Sequence, residues 1–253
     1  MKTFMEMKRS GSKAYCSLYR LLLLIPCLFF FLCSSAQVKP PAEKNKDTDL
    51  PPPRNIKVLE EHKDAKGNTV RTIEYSQGTS RVRETIVIPA DGNFYVHVPI
   101  NPDTMNKDSV LVVVNKSRFK LEVYYRKKII RSYKAVFGPK PLENKMMAGD
   151  RCTPEGWFMI QNKNPRSKYD KFMLLNYPDD SSIARFNRLK EKGNVPANAR
   201  IGGDIGIHGI WPGGDDMIEK GVCWTDGCVA MKNKDIEELY NLVGVGTKVF
   251  IKK

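Results

Sequence analysis

Two side chains in the stretch Ile205–Met231, "IGIHGIWPGGDDMIEKGVCWTDGCVAM", have types that can do chemistry together. His208 stands in the pair His208-Gly209, and Cys228 stands directly behind Gly227. A thiol is a weak nucleophile at its ordinary pKa and needs a base or a positive neighbour to become thiolate. An imidazole within reach can take that proton and later give one to a leaving group. Gly227 lets the backbone turn tightly before the sulfur. The amides of Gly227 and Cys228 can then converge on one point as an oxyanion hole. Twenty positions separate His208 from Cys228, enough for a strand end, an excursion loop through Trp211, Pro212 and Gly214, and a return. Asn233 reads as the cap of a following helix, which places the thiol near a helix start, where thiolate is favoured. The residues alone leave other readings open. A buried cysteine is often a small hydrophobe, a lone histidine is often a packing residue, and His208, Cys223 and Cys228 could hold zinc, although not at a standard spacing.

The elements that must position this pair follow from the rest of the chain. Lys13 and Arg20, the apolar run Leu21–Leu32 and the small residues Ser34-Ser35-Ala36 form a secretory signal pattern over 1–36. The run is short for a bilayer span, which takes about 20 residues, so a membrane partner is expected only if this segment is retained. Its removal takes five basic residues and one acid from totals of 42 and 28, leaving a net charge of +10. An exported basic protein fits anionic envelope polymers or lipid headgroups better than nucleic acid. Cys152, Cys223 and Cys228 remain, an odd count that suits one working thiol and one disulfide, Cys152–Cys223.

Residues 37–55 are rich in Pro, Lys and Asp and read as a flexible tether. Residues 56–108 read as a small β-rich layer that packs on the main domain, with hairpins at Asp64–Asn68 and Pro89–Asn93. Its His62 and His97 are expected to be surface or packing residues. From 109 onward the strand pattern strengthens through "SVLVVVN", a basic hairpin around Arg126-Lys127-Lys128, and "GWFMIQ". Two helices are expected, one from Asp179 with Ile183, Phe186 and Leu189 on a face, and one from Asn233 with Ile236, Leu239, Tyr240 and Val243. The fold class is mainly β, a sandwich or barrel with two short helices.

Three ordered segments resemble the L,D-transpeptidase catalytic domain, also called the YkuD domain. "HG" with "TDGCVAM" resembles the family's HG…[ST]-x-G-C-[IV] signature, "GDRCTPEGWFMI" its upstream GD-x-x-TP-x-G segment, and "VNKSRFKLEVY" its opening strand. The resemblance covers 109–253 and implies a β-sandwich-like core in the bacterial envelope or periplasm, acting on peptidoglycan stem peptides without cofactor or metal. It implies that Cys228 is the nucleophile and forms a thioester, and that His208 is the proton donor and acceptor. Gly227 and Cys228 amides would form the oxyanion hole, Thr225 would line the site, and the Gly209 backbone would hold the histidine. Trp211 and Asp226 are added as substrate-facing by proximity. Many members carry Arg two places after the cysteine, where this chain has Ala230. The "GC[IV]A" form resembles a branch that includes hydrolases releasing wall-linked lipoprotein. The expected activity is therefore acyl transfer from a stem tetrapeptide to an amine, for cross-linking or protein anchoring. The alternatives are hydrolysis at the same site and a non-enzymatic wall-binding module.

Overall fold

Alternation along the strands builds the main sheet. In β4 (Val110–Asn115), Val110, Val112 and Val114 are buried while the residues between them are half-buried. β5 (Lys120–Tyr125) and β6 (Lys128–Lys134) continue from it as antiparallel neighbours. The computed structural model describes residues 53–88, 90 and 96–253. The signal segment 1–36, nearly all of the tether and the turn Asp91-Gly92-Asn93 lie outside these residues.

Eight strands form one sheet in the order β10-β9-β8-β7-β11-β4-β5-β6. β7 (Gly156–Ser167) and β8 (Asp170–Leu175) make a hairpin, β9 (Gly206–His208) joins β8, and β10 (Val229–Ala230) joins β9 in parallel. The last strand, β11 (Lys248–Lys252), inserts between β7 and β4. The sheet then curls until its ends meet, because Val136 and Ala230 exchange both backbone hydrogen bonds, at 2.9 and 2.8 Å. This closure carries β10, the strand that follows Cys228, to the far edge of the basic hairpin.

Among the described residues three α-helices accompany the sheet, one more than the sequence suggests. α1 (Asp180–Glu191) starts where expected, with the Asp179 carboxylate accepting from Ser182 N–H. α3 (Asn233–Leu242) buries Ile236, Leu239 and Leu242, but its N-cap is Lys232, not Asn233. The Asn233 carboxamide instead accepts the Ile210 N–H at 2.7 Å. The added helix, α2 (Asp215–Lys220), lies in the excursion loop and ends at left-handed Gly221.

β1 (Arg54–Lys63), β2 (Thr69–Gln77) and β3 (Ser80–Ile88) form a separate antiparallel sheet. Its Ile73, Tyr75 and Ile86 are buried in the same apolar cluster as the main sheet. The second expected hairpin turn, Pro89–Asn93, lies outside the described residues except for Ala90, and past it Val98 N–H bonds Ile130 O and Ser132 N–H bonds Val96 O along β6.

A buried lysine fastens the long connection between β6 and β7. Lys116 has no exposed surface, and its ammonium donates to Glu143 O at 2.6 Å and Thr153 O at 3.1 Å beside Glu155 at 2.8 Å. Removing one member of a buried ion pair leaves its partner charge and acceptors unmatched. Lys116→Met is expected to lower unfolding free energy by about 3 kcal/mol, measured by urea denaturation.

Candidate active site

Register brings His208 and Cys228 to one face. Val229 pairs with Ile207 and Ala230 with His208 across β10 and β9, so Cys228 sits level with Gly206, two residues from the histidine. Parallel strands alternate sides together, so Cys228 and His208 share a face at a Cα offset of about 8 Å. The cysteine sulfur lies 3.4 Å from Gly206 N–H, which points at it, and 3.5 Å from Asp204 O, which can accept the thiol proton. Neither partner was expected from the sequence, where nothing but chain proximity to His208 marks them.

The histidine's tautomer is fixed by its neighbour. Nδ1 lies 2.7 Å from Gly209 O, and a carbonyl can only accept, so Nδ1 carries the hydrogen and Nε2 keeps its lone pair. Gly209 cannot carry a side chain here, because a Cβ would fall 2.5 Å from Asn233 Oδ1 and 2.7 Å from Tyr169 O. The imidazole stacks on Tyr169 at 4.9 Å, and Trp224 meets it edge-on at 5.6 Å. Phe172, directly opposite on β8, stacks at 6.1 Å. Trp211 packs edge-on against Trp224 at 5.0 Å, one layer away from the imidazole. These aromatic neighbours come from separate segments, so periodicity could not collect them.

Burial sets the charge state of the pair. His208 is 3% exposed, and burial lowers its pKa to about 4 against the opposing bond to Gly209. Burial also raises the Cys228 thiol to about 11, with Asp226 and Asp204 adding to the rise and the Gly206 N–H opposing it. Both groups are therefore neutral at pH 7. Desolvation opposes the thiolate that the nearby helix start was expected to favour.

The turn in front of the sulfur is braced from several sides. Thr225 Oγ1 donates to Cys228 O at 2.7 Å and accepts the Gly227 N–H at 3.3 Å. Gly227 has φ +125°, and a Cβ there would meet Cys152 O at 2.7 Å, so this position excludes other residues. Arg151 reaches across to Asp226 Oδ1 at 2.9 Å and Trp224 O at 3.0 Å. Behind it, burial opposes ionisation of Asp150, but Lys145 and the N–H groups of Met146, Met147 and Cys152 hold its carboxyl below the usual range. Asp226, expected to face substrate, is thus engaged with Arg151.

Cys152 and Cys223 are free and buried, so the expected disulfide is not formed. Cys223 lines a cavity against β3, whereas the Cys228 sulfur lies against Gly206.

The family model of the L,D-transpeptidase catalytic domain, YkuD, matches residues 109–251. The chain belongs to this family. A Bacillus subtilis (strain 168) protein named Putative L,D-transpeptidase YqjB is 30% identical over 141 residues, 55% of this chain and 69% of that protein. Among solved structures, the helical cell shape determining protein Pgp2 (K307A mutant) of Campylobacter jejuni is 22% identical with a TM-score of 0.43, covering 65% of this chain and 51% of that one. Bd1075 of Bdellovibrio bacteriovorus is 20% identical with a TM-score of 0.40, covering 63% and 51%. The chain spans about half the length of these two solved chains. Among the described residues, no helix is long and apolar enough to cross a membrane.

Proposed function

We propose that this protein is an exported, cysteine-dependent peptidoglycan L,D-transpeptidase. The reading is carried by the strand register that sets Cys228 level with Gly206, two residues from His208, and by the Nδ1 bond to Gly209 O that leaves Nε2 of that histidine as the basic nitrogen. Reaction begins from the neutral pair. As Cys228 Sγ bonds to the stem-peptide carbonyl carbon, its proton passes to Nε2, and the imidazolium then protonates the departing D-alanine amine. The product is a thioester on Cys228. An amine of another stem or an envelope lipoprotein attacks that carbonyl, giving its proton to Nε2 and restoring the thiol. The oxyanion is held by the Cys228 and Gly227 amides, the latter leaving its long bond to Thr225 Oγ1. Trp211 and Asp226 border the approach to the thioester, and the excursion loop with α2 selects the acceptor.

Incubating the purified protein with a disaccharide tetrapeptide and weighing the products tests this reading. Cross-linked dimers support transfer. Tripeptide alone replaces it with hydrolysis, the reading that Ala230 in place of the frequent Arg favours, and unchanged substrate replaces it with a wall-binding module.

Arg151 acts on this reaction through the turn it holds. Arg151→Gln loosens Asp226 and Trp224 O together, and misplacing a nucleophile by a fraction of an ångström costs rate before affinity. The expected result is a fall in kcat of roughly tenfold with KM little changed. An unchanged kcat would show that the turn holds itself.

A further inference from the structure

The strand register assembles an apolar strip on the outer face of the sheet, away from β9 and β10. Met159, Lys248, Leu111 and Tyr124 stand side by side across β7, β11, β4 and β5. The next row of the same face begins with Trp157 beside Phe250. These two rings stack at 4.6 Å with 23° between their planes. Trp157 is nonetheless 56% exposed and Met159 46% exposed. A solvent-facing indole held flat by a second ring has its apolar face unspent, which is unusual for so large a side chain. The strip floors a groove of about 1030 Å³.

Charge along the groove says what would lie there. Arg126, Lys127 and Lys248 border it. Arg126 lies over the Tyr125 ring at 5.2 Å. Arg126 and Lys127 have φ of +47° and +70°, in the turn that carries them at the tip of the β5–β6 hairpin. None of the three forms an ion pair among the described residues. Two carboxylates share the groove, and one of them, Asp179, is engaged in capping α1. The other is Asp108. A flat aromatic platform fits the apolar face of a sugar ring, and unmatched cations fit carboxylates carried beside it.

We propose that this groove is a second binding site, separate from the thiol, for the glycan strand of peptidoglycan, with Trp157 under a sugar ring and Arg126, Lys127 and Lys248 on stem-peptide carboxylates. The proposal rests on the transpeptidase reading for its choice of polymer. It makes the enzyme a wall-docked catalyst, holding one strand on the outer face while the thiol works on stems within reach.

The test is cosedimentation of the full chain with insoluble, protein-stripped peptidoglycan, beside turnover of a soluble disaccharide tetrapeptide. The parent is expected to sediment with the wall. Trp157→Ala is expected to weaken retention about tenfold or more, with Trp157→Tyr restoring part of it. Arg126→Gln with Lys127→Gln is expected to weaken it and flatten its dependence on salt. Soluble turnover stays at the parent level in these variants, and Cys228→Ala sediments like the parent. Parent-level retention by folded Trp157→Ala would overturn the proposal. A monomer–dimer shift in sedimentation velocity on Trp157→Ala would overturn it too, by assigning the groove to a second copy of the chain. Loss of soluble turnover in the parent, with wall retention intact, would instead overturn the transpeptidase reading and leave the groove standing.

Discussion

Cys228→Ala is expected to lower the proposed acyl transfer by roughly 10⁴-fold or more while leaving the protein folded. In the proposed reaction the sulfur carries the acyl group, and no neighbouring group can replace it. Cys152 and Cys223 are 1% and 5% exposed, and burial raises their thiols to about 11 and about 12, so they remain protonated and inaccessible. Their alanine variants keep turnover. Cys228→Ser is expected to be as inactive as the alanine variant, since an imidazole with a pKa of about 4 is too weak a base for an alcohol. The stability change for Cys228→Ala stays within about 1 kcal/mol, read from urea unfolding. Substantial turnover by the serine variant would mean that His208 is a stronger base in the substrate complex than its burial implies.

His208→Gln lowers kcat/KM by about 10²–10⁴-fold, the usual contribution of a positioned acid–base group. It also changes how stability depends on pH. The folded-state pKa of His208 is about 4, below the unfolded value of 6.5. Between those values the unfolded chain binds the extra proton, so stability rises with pH there. The contribution is complete above pH 6.5 and is lost as pH falls toward 4, by about 3 kcal/mol at most. The parent should therefore lose stability from this group across pH 6.5 to 4, and His208→Gln should lack that component. Activity should follow the same titration, rising as His208 loses its proton near pH 4. Activity should show no separate step near neutrality, where a thiolate–imidazolium pair would titrate. Identical stability profiles for parent and variant would place the imidazole in water and not in the aromatic cage.

The candidate pair was legible because the chain offers so few alternatives, and because a glycine beside each residue marks a tight backbone. Gly209 and Gly227 both prove to be places where a Cβ would strike backbone oxygen or a neighbouring side chain. Local signals also gave α1, whose Asp179 cap is a purely short-range device. What stayed hidden was set by contacts distant in sequence. Asn233 looks like a cap, yet its carboxamide is drawn away by Ile210 in another segment. α2 is six residues long, too short to show a helical period, and is recognisable only by acids after Gly214 and the left-handed Gly221. The thiol's charge state depends on burial, which no stretch of sequence displays. Closure of the sheet rests on Val136 meeting Ala230, residues with no pattern linking them.

The most direct test is intact-mass analysis of the protein mixed with a tetrapeptide muropeptide and quenched in acid during turnover. The proton-transfer scheme predicts a population heavier by the acyl part of the donor, mapped by digestion to the peptide carrying Cys228 and absent from Cys228→Ala. Product formation with no such adduct, or with the added mass on Cys152 or Cys223, would contradict it.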